Sequence, residues 1–150
     1  MLGLLNATEH GALADFPTED CCDWQWVDLL PNTTAMHMEG LSPSISSVVQ
    51  PIDDWNRNLR LSMLFECMVG KGKLIVTSFD LTADATSKQP TAAQLRKSVM
   101  EYMGSTGFDP KETVTMAEME AWVPKRYVAP IILNSPPATG DVADPGQVKH

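Results

Sequence analysis

The sequence predicts an α/β protein with a mixed sheet, a β-hairpin at about residues 60–80 and flanking helices. Three observations favour this class. Residues 60–69 and 73–79 carry regularly placed apolar residues on either side of a Gly-Lys-Gly turn, as expected for a hairpin. Residues 90–103 carry apolar residues at helical spacing. The 150 residues are 43% hydrophobic, which is enough for one domain with a buried core.

The first quarter of the chain predicts short elements. Residues 2–5 are apolar and predict an internal strand, and residues 11–16 predict one or two helical turns that end before a proline. Residues 24–29 alternate large apolar and polar side chains. We therefore expect a strand there, with Trp24 and Trp26 near the core.

The centre of the chain gives the clearest strand pattern. Residues 32–47 are rich in Ser, Thr, Asn and Pro and predict a loop, and residues 47–52 predict a short strand. In the first hairpin strand one face carries Leu61, Met63, Phe65, Cys67 and Val69. In the second strand Leu74 and Val76 share one face, and Ile75 and Phe79 share the other. We expect a three-residue loop at residues 70–72 and a sheet covered on both sides.

Helices are predicted towards the end of the chain. A helix should begin near Pro90 and end at Gly104. Its apolar stripe is Ala92, Leu95, Val99, Tyr102 and Met103. Residues 115–122 predict a further short helix. We expect residues 1–133 to form a single α/β domain and residues 134–150, rich in Pro and Gly, to form a flexible or extended tail.

Composition and charge exclude several classes of function. The chain has 19 acidic and 11 basic residues, a formal charge of −8, which disfavours nucleic acid as a partner. No apolar run is long enough to span a membrane, and no signal peptide is visible, so we expect a cytoplasmic location for the chain as given. A periplasmic or secreted location would follow if it is part of a longer precursor. Cys21, Cys22 and Cys67 are expected to be reduced thiols, and we expect no metal or other cofactor.

An ordered series of aromatic-rich segments carries a family resemblance. The segments are residues 16–19 (FPTE), 23–29 (DWQWVDL), 49–56 (VQPIDDWN), 64–66 (LFE), 69–74 (VGKGKL) and 80–82 (DLT). The series resembles the C-terminal α/β region of large bacterial proteins of glycoside hydrolase family 2, which are β-galactosidase-like. The resemblance covers roughly residues 2–108 and implies a glutamine-amidotransferase-like or flavodoxin-like fragment. One departure is the pair Cys21-Cys22, where the family has a His and a small polar residue.

The resemblance implies a carbohydrate context. The catalytic barrel of such enzymes needs about 250 residues, so its acid/base and nucleophile have no counterpart here. We expect an accessory structural or sugar-binding role in β-galactoside hydrolysis, with a β-galactoside-like carbohydrate, neighbouring domains or a second copy as partners. The alternatives are a self-contained small glycosidase, of β-galactosidase or α-arabinopyranosidase type, and an interaction module without a carbohydrate role.

Carboxyl and aromatic residues supply the candidate site. A glycosidase needs two carboxyl groups about 5–9.5 Å apart. The candidates are Glu66 as acid and Asp54 as nucleophile or base, with Trp24, Trp26, Trp55 and Asp53 as substrate-binding residues. Ordinary structural roles are the alternative. The tryptophans would then lie in the core or an interface, the two aspartates would stabilise a turn, and Glu66 would pair with Arg57 or Arg60.

Overall fold

The computed structural model describes residues 3–123 of the chain. Within them lie seven strands, four α-helices and two short 3₁₀ turns. The strands are β1 (Gly3–Asn6), β2 (Met36–His37), β3 (Ser47–Ile52), β4 (Leu61–Ser62), β5 (Leu64–Val69), β6 (Gly72–Thr77) and β7 (Thr113–Val114). The helices are α1 (Trp24–Leu29), α2 (Ala83–Lys88), α3 (Pro90–Gly104) and α4 (Met116–Trp122), and the 3₁₀ turns are Gly11–Leu13 and Leu30–Asn32.

The larger sheet is mixed. Its order is β1-β3-β5-β6, and each of these neighbouring pairs is antiparallel. β7 lies parallel to the end of β5, while β2 and β4 form a separate antiparallel pair. The predicted mixed α/β class is therefore confirmed. A flavodoxin-like sheet consists of parallel strands, and the present sheet differs from that finer expectation because its pairs are antiparallel except for β5 with β7.

The β5–β6 hairpin confirms the predicted element at residues 60–80 with a shorter loop. Val69 pairs with Gly72, so the turn contains two residues rather than three. Gly70 has φ +61°, a left-handed conformation that glycine adopts without the steric cost of a Cβ atom. Because the loop is shorter, Gly72 belongs to β6 and adds one residue pair, Val69 with Gly72, to the antiparallel ladder.

Apolar clusters cover both faces of the larger sheet, as predicted. One cluster is built around α1, α3 and the first strands, with Leu4, Phe16, Trp26, Leu29, Val49, Met63, Leu64, Phe79, Leu95 and Val99 among its buried members. The other cluster contains Met36, Met38, Leu41, Ile45, Phe65, Cys67, Val114 and Trp122. Ile75 packs against the first cluster, while Leu74 and Val76 pack against the second, which is the division of faces predicted for this strand.

The predicted single face from Leu61 to Val69 is wrong at one point. Met63 and Leu64 are neighbours in sequence, yet both belong to the first cluster, whereas Phe65 and Cys67 belong to the second. The register between β3 and β5 shifts between Ser47 and Val49. Such an irregularity inserts a residue into the ladder and interrupts strict alternation.

The strand predicted at residues 24–29 is a helix. In α1 the buried residues are Trp26 and Leu29, which are three positions apart and lie on one helical face. Trp24 precedes them on the exposed side. The short apolar–polar alternation is compatible with both structures, and packing of Trp26 against Phe16 and Phe79 selects the helix.

The two predicted helices near the end of the described chain are confirmed. α3 begins at Pro90 and buries Ala92, Leu95 and Val99, but Met103, predicted on the same stripe, is 41% exposed. α4 has a capping box in which Thr115 and Glu118 each accept from the other's backbone N–H. Helix α2 and the two-residue strands β2 and β7 were not predicted, because they are too short for a clear periodic pattern. β4 lies within the strand predicted at residues 60–69, which the structure divides into β4 and β5.

Two expectations fall beyond the described range. The tail predicted at residues 134–150 lies outside residues 3–123, so it and the domain boundary at residue 133 stay predictions.

Between residues 3 and 123, no helix has the length and apolar character required to cross a membrane. All three cysteines are free thiols, with Cys21 and Cys22 exposed and Cys67 buried.

Candidate functional site

The loop between β3 and β4 begins with a buried carboxylate. The Asp53 side chain is 4% exposed. Its Oδ1 accepts a hydrogen bond from Arg57 Nη2 at 2.7 Å, and its Oδ2 accepts one from the backbone N–H of Leu59 at 3.1 Å. Both oxygens are therefore bound within the loop, and Asp53 acts as its internal anchor.

Asp54 organises the next residues of the same loop. Its Oδ1 accepts from the backbone N–H groups of Asn56 and Arg57 at 2.9 and 3.1 Å, and its Oδ2 pairs with the Arg57 guanidinium. The backbone N–H of Asn58 donates to the carbonyl of Asp54 at 3.0 Å, which closes one helical turn. The predicted turn with side-chain-to-backbone hydrogen bonds is confirmed.

Hydrogen bonding keeps both loop carboxylates ionised. Burial opposes ionisation of Asp53 and Asp54, but the surrounding backbone N–H groups and Arg57 outweigh it and lower the pKa of each carboxyl below its ordinary value. A glycosidase acid needs a raised pKa. The lowered pKa excludes proton donation by either aspartate but is compatible with the nucleophile or base predicted at Asp54. The oxygens of Asp54 are, however, already bonded to Asn56 and Arg57.

Trp55 is exposed in the middle of this ordered loop. Its side chain is 89% exposed, although its neighbours Asp53 and Asp54 are tightly bonded. An indole normally packs against other apolar groups, since its burial contributes a large hydrophobic stabilisation. The loop thus presents a large, planar, apolar face to solvent from a backbone with little freedom to move.

Glu66 contacts a histidine rather than an arginine. Its Oε1 lies 3.7 Å from His10 Nε2, and its buried Oε2 has no hydrogen-bond partner among residues 3–123. His10 Nδ1 accepts from the backbone N–H of Ala12 at 3.2 Å. In the neutral imidazole the proton must then lie on Nε2, which faces Glu66. The predicted pairing of Glu66 with Arg57 or Arg60 is wrong, because both arginines bond elsewhere.

Tyr102 completes the surroundings of Glu66. Burial and the nearby Glu66 carboxylate raise the pKa of Tyr102 to about 12, so the phenol is neutral at physiological pH. The rings of His10 and Tyr102 meet edge to face with centroids 5.1 Å apart, and both line a cleft of about 480 Å³. A neutral phenol is poorly suited to take a proton from a substrate.

The fold separates the two predicted catalytic carboxyl groups. Phe65 pairs with Ser47 at the start of β3, so Glu66 lies beyond that end of the strand. Asp54 follows Ile52 at the other end. Six strand residues span about 17 Å, well beyond the 5–9.5 Å that glycoside hydrolysis requires. Asp54 and Glu66 therefore do not form a catalytic pair within one chain.

The predicted sugar-binding tryptophans have different environments. Trp26 is fully buried and its Nε1 donates to Thr18 Oγ1 at 2.8 Å, so its predicted role as a substrate-binding residue is wrong. Trp24 is 87% exposed at the start of α1, and Trp55 is exposed in the β3–β4 loop. Two of the three indoles thus remain accessible to a ligand.

Arg57 was predicted only as a partner of Glu66 and not of Asp53 and Asp54, and neither His10 nor Tyr102 was predicted to lie beside Glu66. A signal for Arg57 was present, because it follows Asp53 and Asp54 by four and three residues, a spacing that closes ion pairs across one helical turn. His10 and Tyr102 gave no such signal, since only the packing of the 3₁₀ turn and α3 brings them to β5.

Asp53 should make stability depend on acid pH. Its pKa is lower in the folded chain than its ordinary value of 3.8, so the unfolded chain binds the proton at higher pH. Its contribution is present above about pH 5 and is lost as the pH falls through the lowered pKa. We expect Asp53→Asn to reduce the slope of unfolding free energy against pH, measured by urea unfolding between about pH 5 and pH 2. Asp28→Asn, which removes an exposed carboxyl group elsewhere on the chain, is the matched control. Equal slopes for wild type and Asp53→Asn would contradict this role.

Comparison with known proteins identifies a family. The family model described as Domain of unknown function (DUF8487) matches residues 1–124. The chain belongs to this family, and the match includes every helix and strand described above. No curated protein matches the chain. Among residues 3–123, no group of three or more His, Cys, Asp or Glu side chains is arranged to hold a metal ion.

Proposed function

We propose that the chain is an accessory, saccharide-binding domain of a β-galactosidase-like protein, and that it does not cleave glycosidic bonds itself. The observation that carries the proposal is Trp55, which is 89% exposed on a loop whose neighbouring side chains are tightly bonded. The resemblance to the C-terminal region of family 2 glycoside hydrolases supports a carbohydrate ligand. The separation of Asp54 from Glu66 supports a binding role over a catalytic one.

The chemistry of the loop suits a sugar ring. One face of a galactoside ring carries C–H groups, which pack on an indole face, and its hydroxyls need polar neighbours. The side chains of Asn56 and Asn58 are exposed in the same loop as Trp55. Because Asp53 and Asp54 already order the backbone, binding costs little additional conformational entropy.

The same proposal includes the surroundings of the domain. Neighbouring domains of a longer glycosidase, or a second copy of the chain, would bring the bound saccharide towards a catalytic centre. A periplasmic or secreted location fits a polysaccharide that is bound outside the cytoplasm. A cytoplasmic location fits short oligosaccharides that are imported before they are hydrolysed. The alternative is an interaction module without a carbohydrate role. Saccharide binding by the purified chain would exclude this alternative, and absence of binding would support it.

Trp55→Ala is expected to weaken saccharide binding by about 5- to 30-fold, since the lost stacking is worth roughly 1–2 kcal/mol. The measurement is isothermal titration of the purified chain with methyl β-galactoside and with lactose. Trp24→Ala is the matched control, because that indole is equally exposed and lies on α1. It should bind both sugars as the wild type does.

Three results would contradict the proposal. Unchanged affinity in Trp55→Ala, or loss of binding in Trp24→Ala instead, would place the sugar contact away from the β3–β4 loop. Hydrolysis of nitrophenyl β-galactoside that co-purifies with the chain would support a small glycosidase, and its loss in Glu66→Gln or Asp54→Asn would assign the acid or nucleophile.

A further inference from the structure

A cleft lies beside the loop that carries Trp55. Its volume is about 410 Å³, in the lower part of the range of about 300–1,000 Å³ for small-ligand sites. One wall is formed by residues 37–43 and the other by residues 58–60. The second wall is the end of the ordered loop described above, so the cleft adjoins the proposed sugar contact.

Arg60 holds the two walls of the cleft together. Its Nη2 donates to the carbonyls of Met38 at 2.7 Å and Leu41 at 2.9 Å, and its Nη1 donates to the carbonyl of Ser42 at 3.0 Å. The backbone N–H of Met38 donates back to the Arg60 carbonyl at 2.8 Å. Trp122 Nε1 also donates to the carbonyl of His37 at 2.7 Å. The cleft is therefore preformed, and a ligand need not order it.

The backbone connects Trp55 to this cleft. The hydrogen bond from the Asn58 N–H to the Asp54 carbonyl forms one helical turn, in which Trp55 and Asn58 are three positions apart. This hydrogen bond folds the loop back on itself, so Trp55 and Asn58 lie within one turn of the backbone. Asn58 lines the cleft, and its φ of +48° ends the turn there. The residue that carries the exposed indole therefore lies within one backbone turn of a residue that lines the cleft.

The polar groups of the cleft suit hydroxyls better than anions. Glu39 is 85% exposed and its Oε2 lies 3.7 Å from His37 Nδ1, while Asn58 offers an amide that both donates and accepts. The nearby guanidinium groups of Arg57 and Arg60 are bonded to carboxylates and carbonyls of the protein itself. An exposed Glu39 in a chain of formal charge −8 repels acidic sugars and phosphates.

We propose that Trp55 and this cleft form one extended site for a neutral disaccharide, with one ring stacked on Trp55 and the adjoining ring bound by Glu39 and Asn58. The inference rests on the proposed function and adds to it the length and charge of the ligand. A site with Trp55 alone would bind a monosaccharide and a disaccharide equally well. The extended site binds the disaccharide more tightly.

Isothermal titration with lactose and methyl β-galactoside separates the two proposals. We expect the wild type to bind lactose about fivefold or more tightly than the monosaccharide. Glu39→Gln should reduce that advantage while leaving monosaccharide affinity unchanged, whereas Asn58→Gly should also weaken monosaccharide binding because Asn58 belongs to the Trp55 loop. Glycine tolerates the positive φ at position 58, and Glu120→Gln, at an exposed position on α4, is the matched control.

Each outcome distinguishes the inference from the proposed function. Equal affinity for both sugars, with Trp55→Ala still weakening them, would overturn the disaccharide site and leave the Trp55 contact intact. Loss of the lactose advantage in the cleft variants, together with weaker binding of both sugars by Trp55→Ala, would support both. Binding of neither sugar, or tighter binding of digalacturonate than of lactose, would overturn the neutral disaccharide site. In a nuclear magnetic resonance titration, His37 ring signals should shift with lactose and stay unchanged with the monosaccharide.

Discussion

Trp26→Ala is expected to lower the free energy of unfolding by about 3–5 kcal/mol, which is typical for truncation of a large buried aromatic side chain. Trp26 is fully buried, with its ring centroid 5.0 Å from that of Phe16 and 5.4 Å from that of Phe79. Its Nε1 also donates to Thr18 Oγ1 at 2.8 Å. The substitution therefore leaves a cavity and removes the hydrogen bond that ties α1 to the preceding segment.

Trp24→Ala is the control for this measurement in urea unfolding. It removes the same side chain from the same helix at a position that is 87% exposed, so the change should stay within about 0.5 kcal/mol. Equal destabilisation by the two substitutions would mean that α1 does not bury Trp26 as described. A strand with both indoles in the core, as predicted from the sequence, would give that result.

Arg60→Met should destabilise the chain by about 2–4 kcal/mol and loosen the cleft. The substitution keeps much of the apolar stem but removes the guanidinium, which donates to three backbone carbonyls in residues 38–42. Each hydrogen bond from a charged donor contributes about 1.5–3 kcal/mol. The total loss is smaller than the sum over three bonds, because water can donate to the carbonyls once the guanidinium is gone. Arg60→Lys should recover a minor part, because an ammonium lacks the planar fork of donors.

Arg96→Met provides the comparison for Arg60→Met. Arg96 is exposed on α3, so its substitution should change stability by no more than about 0.5 kcal/mol. Hydrogen exchange adds a local readout. The Met38 N–H, which donates to the Arg60 carbonyl, should exchange faster in Arg60→Met, and unchanged exchange would show that Arg60 does not hold the cleft wall.

Elements with a long periodic pattern were predictable from the sequence. The hairpin extends over many residues with apolar groups at period two, and α3 repeats its apolar positions over fifteen residues. In both, most of the predicted apolar positions are buried, apart from the shift at Met63 and the exposed Met103, so packing reinforces the local preference. The turn at Asp53 and Asp54 was also predictable, because such side chains bond to nearby backbone N–H groups.

Short elements and the composition of the sites were not predictable. The six residues of α1 fit a strand and a helix equally well, and contacts with Phe16 and Phe79 decide between them. The register shift in β3 moves Met63 away from the face shared by Phe65 and Cys67. A one-residue insertion has this effect because side chains alternate with a period of two.

The sequence by itself determined the mixed α/β class, the hairpin, the helices α3 and α4, and the ordered turn beside Trp55. These features depend on residues close together in the chain, whose spacing and backbone preferences act locally. The tertiary structure decided that Trp24 is exposed while Trp26 is buried, that Glu66 meets His10, and that Asp54 lies far from Glu66. Those distances depend on strand register and helix packing, which bring together residues far apart in the chain and which local periodicity does not specify.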